Sequence, residues 1–381
     1  MSNTTDVLIV GGGIMGLTSA WRLAQAGVKI TLFESRTCGS GASSAALGAL
    51  WPASALVNAP LQNLHRKSLW EFEAFARELT DFTGKPVPFM RRGRVELLHS
   101  EKAKAHALQE AAAACADWPQ LSPGPAMEVL SAEELRRQYP EINSLPFGGQ
   151  VCHRSAQVGV DGLLAALIEA CRKAGVVLKE NCAVQQLQGD GESITGVMAG
   201  GEVYAAGAVL VAAGVHSNHL GFELRQRAPI QPVKGQAMLL KTAEPVINKI
   251  VKNGLIFLVP WPDGRVLVGS TTEPDAGFDS SNTVEGVSFL LNGAVQTCPA
   301  MASARLERTW AGLRPTGPNK KPVLGPMPNK RGLYVAGGHF KVGIGMAPIT
   351  GKLIAQMITT GQVPGEAMPF VPSAAEAALL A

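Results

Sequence analysis

The chain has 381 residues, 46% of them hydrophobic and 17% charged, which excludes a disordered or fibrous protein and allows two or three domain-sized units with ample core. Its net charge is +4 with the basic residues dispersed, so the concentrated cationic face that nucleic acid needs is not expected. Six cysteines (Cys38, Cys115, Cys152, Cys171, Cys182 and Cys298) form no CxxC and no metal-ligand spacing with histidine. That argues against a metal site or a disulfide framework and for reduced thiols in a cytoplasmic protein.

Asp6-Val-Leu-Ile-Val10 reads as a strand, Gly11-Gly-Gly-Ile-Met-Gly16 as a glycine turn, the stretch through Ala26 as a helix, and Lys29-Ile-Thr-Leu-Phe33 as a second strand ending at Glu34. This is the pattern of a dinucleotide grip. Gly11 permits the tight turn, Gly13 lets backbone approach a pyrophosphate, and Gly16 lets the helix lie close on the strand. The helix N-terminus then turns its unpaired N–H groups toward the phosphates. Glu34 is placed to accept hydrogen bonds from the adenosine ribose and would repel a 2′-phosphate, which disfavours NADP. The apolar start lacks a basic n-region and is read as the nucleotide strand, not a signal peptide. No apolar run approaches the roughly twenty residues of a spanning helix.

Cys38 to Leu50 is rich in glycine, serine and alanine, as a backbone hugging a ligand would be. Leu61 to Phe82 predicts a long amphipathic helix with Leu64, Leu69, Phe72, Phe75 and Leu79 on one face. Arg91 to His99 is strand-like, Lys102 to Cys115 an alanine-rich surface helix, and Ser131-Ala-Glu-Glu134 a capping box. Asp161 is expected to cap a helix with Leu164, Leu167, Ile168 and Cys171 toward the core, ending at Gly175. A strand Val176–Lys179, a β-rich stretch to Val203 and the apolar run Ala208–Ala212 follow. Residues 230 to 315 are strand-rich (Gly235–Leu240, Leu255–Val259, Arg265–Gly269), with a helix over Val284–Thr297. The last unit is a strand Gly332–Ala336, then Gly337-Gly338, then a helix around Thr350–Ile358.

NAD and FAD share the first grip, and the far end separates them. A second strand–glycine–helix unit from Gly332 would bring another positive helix end to the cofactor. There it can stabilise the anionic N1–C2=O edge of a reduced flavin, a need nicotinamide does not have. The run Val209 to Gly214 fits the strand that closes over the cofactor in two-domain flavoenzymes. The expected fold is α/β: a discontinuous Rossmann-like FAD-binding domain (1–85, 150–230 and 325–365) with an inserted α+β substrate domain (86–149 and 231–324) containing a mixed or antiparallel sheet, and a tail at 366–381.

The segments VLIVGGGIMG, SSAALGAL, PVKGQ, LVPWPDGRVLVGSTT, TWAGLRPTGPNKKPVLGP and VAGGHFKVGIGMAPITGKLI are spread over nearly the whole chain. In them the sequence resembles the D-amino-acid oxidase superfamily of FAD-dependent oxidoreductases, most closely the glycine oxidases of the thiamine-biosynthesis type. The resemblance implies that Gly11, Gly13, Ile14, Met15, Gly16, Glu34, Ser43, Ser44 and Ala45 hold the ADP half of FAD. It implies that Val184 touches adenine through its backbone, that Ala213 and Gly214 close over the cofactor, and that Gly338, His339, Phe340, Lys341, Val342, Gly343 and Ile344 line the isoalloxazine. Relatives that attach flavin covalently use a cysteine in the C-terminal half; Cys298 falls in no matching motif, so non-covalent FAD is expected.

Arg314, in Gly312-Leu-Arg-Pro315, is the candidate that fixes the substrate. An amino acid must present its Cα–H to flavin N5, and a bidentate guanidinium–carboxylate pair holds that pose. Lys341 stands where the relatives carry an arginine, Phe257 where they often have a tyrosine, and Trp261 where a basic residue is common. These departures imply a bulkier or less polar substrate than glycine. Leu267 stands where sarcosine-oxidase-like relatives place an oxygen-activating lysine, which leaves the acceptor open between O2 and a protein partner. The expected activity is FAD-dependent oxidation of the C–N bond of a small amino or imino acid. The alternative is the catalytic subunit of an amine dehydrogenase complex, resembling D-hydroxyproline dehydrogenase or opine oxidase. A flavin-binding module without turnover fits the intact GLRP loop less well. The other expectations are a homo- or hetero-oligomer, no nucleic acid, no metal, no integral membrane segment, and a cytoplasmic location with peripheral membrane association if the chain is a dehydrogenase.

Overall fold

Strands that are apolar on both faces need cover on both faces, and the strands around the N-terminal glycines are of this kind. The computed structural model describes residues 4–117, 126–143, 145–190, 192–219 and 230–373. Within it, strands Leu333–Gly337, Glu202–Val211, Thr4–Val10, Ile30–Phe33 and Val177–Lys179 lie side by side in that order, all parallel. Antiparallel strands extend this sheet: Val323–Pro326 along Leu333–Gly337, and Val184–Gly189 with Ile194–Ala199 along the first half of Glu202–Val211. One face is covered by helices Ile14–Gln25, Pro60–Thr83, Val160–Lys173 and Gly343–Thr360, which share one core centred on Trp21, Phe72, Leu163 and Ile354. The other face closes on Leu187, Val197 and Tyr204, with the Tyr204 ring edge-on to Phe33 at 4.9 Å.

The strands of this sheet come from segments far apart in the chain, so the α/β expectation holds and the sheet is discontinuous. The boundary expected at 230 abuts residues 220–229, and the expected tail contains 374–381; these lie outside the described residues, as does the side chain of Cys115.

A second sheet has the order Arg305–Thr316, Gln231–Lys241, Arg265–Gly269, Ile256–Pro260, Ile250–Asn253, Arg94–Leu97, Gly149–Cys152, Met127–Leu130. It is antiparallel except where Ile250–Asn253 meets Arg94–Leu97, a mixed sheet as expected. Its alternation is functional. Met238, Leu240, Leu258, Val266 and Val268 point to one face and pack with Leu290 and Ala294 of helix Val284–Thr297, whose bounds are those read from the sequence. Because side chains alternate in a strand, Gly235, Ala237, Phe257, Gly269, Trp310, Gly312 and Arg314 occupy the opposite face, which looks toward the first sheet. A short sheet, Ala49–Leu50, Ala156–Val158 and Phe89–Met90, lies in the segments joining the two.

Local expectations largely match. The amphipathic helix spans Pro60–Thr83, the alanine-rich helix Glu101–Asp117, and the strand-like stretch Arg94–Leu97. The capping box forms, with Glu134 N donating to Ser131 Oγ and Ser131 N to Glu134 Oε2 at 2.8 Å. Two details differ. The cap of helix Val160–Lys173 is Gly159, and Asp161 is an exposed first-turn residue whose charge complements the dipole without capping. The last helix begins at Gly343, well before Thr350. Its glycines and Pro348 weaken local propensity, but Ile344 to Gly351 are buried against helix Ile14–Gln25, where a Cβ on Gly351 would meet Thr18 Cγ2 at 2.5 Å. Tertiary burial overrides propensity here.

Candidate active site

Close approach builds the turn into the first helix. Gly11 has φ +108°, and a Cβ there would lie 2.5 Å from the Ala212 carbonyl oxygen and 2.9 Å from Ala213 Cα. A Cβ on Gly16 would lie 1.9 Å from the Gly11 oxygen, so neither position admits a side chain. Gly13 differs: its backbone is ordinary, and the nearest atom to a Cβ would be Ser43 Oγ at 3.5 Å. It leaves space beside a helix end that has no side-chain cap. Ile14 N donates to Ser43 Oγ at 2.9 Å, and Gly12 N to Glu34 Oε2 at 2.8 Å. Glu34 Oε1 accepts from Arg36 N at 3.0 Å and Ser35 Oγ at 3.1 Å. Of the roughly four lone-pair sites of a carboxylate, the chain thus uses three and leaves one. Cys182 N donates to the Glu34 carbonyl at 2.9 Å, which brings Val184 alongside. Ser44 N is tied to Gly39 O at 3.2 Å. These residues therefore converge at the carboxyl ends of the parallel strands, where open α/β sheets bind ligands.

The second glycine unit meets the first. Met15 Cε lies 3.8 Å from where a Cβ on Gly343 would sit, and helix Gly343–Thr360, like Ile14–Gln25, begins without a side-chain cap. Two positive helix ends converge here, the first with its Ile14 N–H engaged by Ser43 Oγ, which fits an anionic dinucleotide. The preceding loop is tied to the second sheet: Phe340 N donates to Pro315 O at 2.7 Å and Gly317 N to Gly338 O at 3.1 Å. His339 is buried, with Nε2 on Thr350 Oγ1 at 3.0 Å and Nδ1 without a partner among the described residues. Burial lowers its pKa to about 3, so the ring is neutral.

The glycines of the second sheet form a floor under the segment Ala45 to Trp51. A Cβ on Gly312 would meet Ala45 Cβ at 2.5 Å, and one on Gly269 would meet Leu47 Cδ1 at 2.5 Å. Trp310 Nε1 donates to Ala45 O at 3.1 Å. At the far side of the floor Trp51 stacks on Phe257, centroids 5.0 Å apart and planes at 21°.

Arg314 lies across Gly235, where a Cβ would be 2.1 Å from Nη2. Its Nη1 donates to Lys234 O and Thr271 O, each at 3.2 Å, and its Nη2 to Ser270 Oγ at 2.8 Å. A guanidinium has five N–H donors, so with three engaged among the described residues two remain, the Nε–H and one on Nη2. Burial lowers the Arg314 pKa, with Glu273 acting in the opposite sense. Lys341 Nζ donates to Thr272 Oγ1 at 3.1 Å, so adjacent residues of one loop hold the two cations. The Lys341 pKa is lowered, first by burial and then by Arg314, Lys320 and Lys252.

The family described as DAO, FAD dependent oxidoreductase, matches residues 6–357. The chain belongs to this family. Glycine oxidase of Geobacillus kaustophilus is 32% identical over 381 residues, with 97% of each chain covered. A crystal structure of glycine oxidase from Geobacillus kaustophilus superposes with a TM-score of 0.88 at 29% identity, covering 97% of this chain and 99% of that one. Hydrogen cyanide synthase subunit HcnC of Pseudomonas aeruginosa is 28% identical, covering 97% of this chain and 96% of its own.

In this DAO-family chain the structure brings Arg314, Lys341 and the 338–344 loop together, with Phe257 on the same sheet face. Trp261 is not with them: its N–H donates to Arg265 O at 2.7 Å in the hairpin turn beyond Pro260. At about 3.3 Å per residue that is roughly 13 Å along the strand from Phe257. Leu267 is on the floor face, two residues from Gly269 and opposite Leu239 and Val259. Sequence reasoning gave no role to Ser270, Thr271 and Thr272, which hold the two cations, or to Trp51, which backs Phe257. The signal available in the sequence was the run of three hydroxyl residues, Ser270 to Thr272, following the strand end at Gly269.

Proposed function

We propose that this FAD-dependent oxidoreductase oxidises the C–N bond of a small amino or imino acid, with the substrate carboxylate on Arg314. The observation that carries this reading is that Arg314, lying across Gly235 on the floor, leaves two donors unengaged among the described residues, Nε–H and one on Nη2. Such a fork binds a carboxylate bidentately and fixes its plane. Lys341, held beside it, attracts the carboxylate as a point charge. Residues 11–16, Glu34, 43–45, Val184, 213–214 and 338–344 would hold the cofactor. When bound, FAD supplies the hydride acceptor for the substrate Cα–H, and the imine product hydrolyses in water. A neutral amine and good alignment suffice, so no side-chain base is assigned. Partial burial of Arg314 strengthens its charge pairing by excluding water.

Phe257 and Trp51 form an apolar wall, which supports a substrate with a ring or N-alkyl group over glycine. Leu267 on the floor face, where a lysine would serve O2, favours a second reading in which electrons pass to a protein partner within a hetero-oligomer. Cys298 is fully buried in the second-sheet core, in keeping with non-covalent FAD. The unpaired Cys38, Cys152, Cys171, Cys182 and Cys298 support a cytoplasmic location; among the described residues no helix is long and apolar enough to cross a membrane. The two sheets support a division into a discontinuous FAD domain (1–85, 150–230, 325–365) and a substrate domain (86–149, 231–324), except that strand Gly149–Cys152 pairs in the second sheet and strand Val323–Pro326 in the first. Chromatography of the cofactor released on denaturation should return FAD, and anaerobic flavin reduction against a panel of amino and imino acids should identify the substrate. FMN, or no reduction by any carboxylate-bearing amine, would overturn the reading.

A further inference from the structure

In the PVKGQ segment Gly235 lies on the floor face; its neighbours Lys234 and Gln236 point to the opposite face and are almost fully buried, 2% and 1% exposed. Lys234 Nζ donates to Asp279 Oδ2 at 2.7 Å and lies 3.5 Å from Glu273 Oε2. Gln236 Nε2 donates to Glu273 Oε1 at 2.9 Å and Thr283 Oγ1 at 3.0 Å, while its Oε1 accepts from Thr283 N at 2.9 Å and Asn282 Nδ2 at 3.2 Å. Every one of these partners belongs to the loop 270–283 that joins strand Arg265–Gly269 to helix Val284–Thr297. The same loop supplies Ser270 Oγ and Thr271 O to Arg314 and Thr272 Oγ1 to Lys341. Past Gly269 its backbone pairing is sparse: Ser270 N to Leu255 O at 3.4 Å, Thr271 N to Gln236 O at 3.3 Å, the Lys234–Glu273 exchange at 3.1 and 2.9 Å, and Asp279 N to Ala276 O at 3.1 Å within the loop.

A lysine withdrawn from water needs a partner, and an apolar residue would fill a purely structural position at lower cost. A charge here does something packing cannot: it pulls an outer loop inward at a defined point. The hydrogen bond to Asp279 holds the Lys234 ammonium above its usual range, so it stays charged.

We propose that Lys234 and Gln236 are positioning residues that latch the 270–283 loop from behind the floor, so that Ser270 and Thr271 hold the Arg314 guanidinium in one orientation toward the substrate carboxylate. The proposal rests on Arg314 being the carboxylate anchor. Without the latch the Arg314 charge remains in the site, but its two unengaged N–H groups lose their fixed direction. Carboxylate affinity then falls while affinity for an uncharged ligand of the same shape does not.

The test titrates the oxidised holoenzyme with benzoate and with benzyl alcohol, the same ring with and without a carboxylate, following the visible flavin spectrum. Lys234→Met should raise the benzoate Kd by about tenfold, and Asp279→Asn by a smaller factor in the same direction. Flavin content and the benzyl alcohol Kd should stay at the wild-type values. If Lys234→Met yields no folded holoenzyme, Asp279→Asn decides by the same criterion, because Asp279 is half exposed. Wild-type benzoate affinity in these variants, with affinity lost in Arg314→Lys, overturns the latch alone. Equal loss of both ligands also overturns it, because that marks general collapse. Unchanged benzoate binding in Arg314→Lys, or none in the wild type, overturns the anchor reading and the latch together.

Discussion

Replacing Arg314 by lysine separates charge from direction. In the wild type, three guanidinium N–H groups are committed to Lys234 O, Thr271 O and Ser270 Oγ, and two, on Nε and Nη2, remain among the described residues. Lysine keeps the positive charge but has three donors on one nitrogen. It cannot satisfy two backbone carbonyls and a hydroxyl and still donate twice to a carboxylate. A hydrogen bond to a charged group is worth about 1.5–3 kcal/mol. Loss of one such bond to the substrate therefore raises its Kd roughly ten- to a hundredfold. The cofactor grip is built from other residues, so flavin content should not change. Anaerobic stopped-flow reduction over a substrate concentration series gives Kd and the limiting rate separately, with the flavin spectrum reporting cofactor retention. A Kd within twofold of wild type would refute the assignment of the fork, and loss of flavin would show that Arg314 serves the cofactor instead.

Phe257→Tyr should narrow the preference of the enzyme for proline-like or N-alkyl amino acids over glycine, since an apolar wall discriminates only by size whereas a hydroxyl adds a polar contact; the panel ratio checks it, and glycine as the best wild-type substrate would contradict it. Gly16→Ala should lose FAD on gel filtration, because the new Cβ at 1.9 Å from the Gly11 oxygen must retreat by roughly 1.5 Å to reach ordinary contact; wild-type flavin content would exclude this. Burial lowers the pKa of His65 to about 4 and of His339 to about 3, from an ordinary 6.5. As pH falls below 6.5 the unfolded chain takes up these protons and the folded one does not, so stability falls until the folded pKa values are reached. Each histidine contributes up to about 1.4 kcal/mol per pH unit; urea midpoints at pH 7, 5.5 and 4.5 should show the decline and His65→Gln should flatten it, and an unchanged slope in that variant would exclude His65.

The local grip was legible in the chain alone because its parts are consecutive. Gly11, Gly13, Gly16 and Glu34 sit in one strand–turn–helix–strand run, where Gly11 answers a contact with the end of the strand beside it, Gly16 one within the turn, and Gly13 leaves space at the helix end. The helix Val284–Thr297 and the capping box at Ser131 were equally local, and the structure reproduces both. The tail motif around Gly338 was visible too, but the start of its helix was not: propensity disfavours Gly343 to Pro348, and burial against Met15, His65 and Leu69 overrides it. The proposed substrate site depends on pairings between distant segments. Arg314 is useful because strand Arg305–Thr316 pairs with Gln231–Lys241, which places the missing side chain of Gly235 beneath the guanidinium and Ser270 and Thr271 within its reach. Trp261 stood four residues from Phe257 in sequence, yet the hairpin turn carries it away from Arg314. Strand alternation assigns Lys234 and Gln236 to one face and Gly235 to the other, but what each face meets depends on which elements pack there. Sequence determines contacts whose partners are chain neighbours; packing of the two sheets determines the rest, because only there do residues hundreds of positions apart come within hydrogen-bonding range.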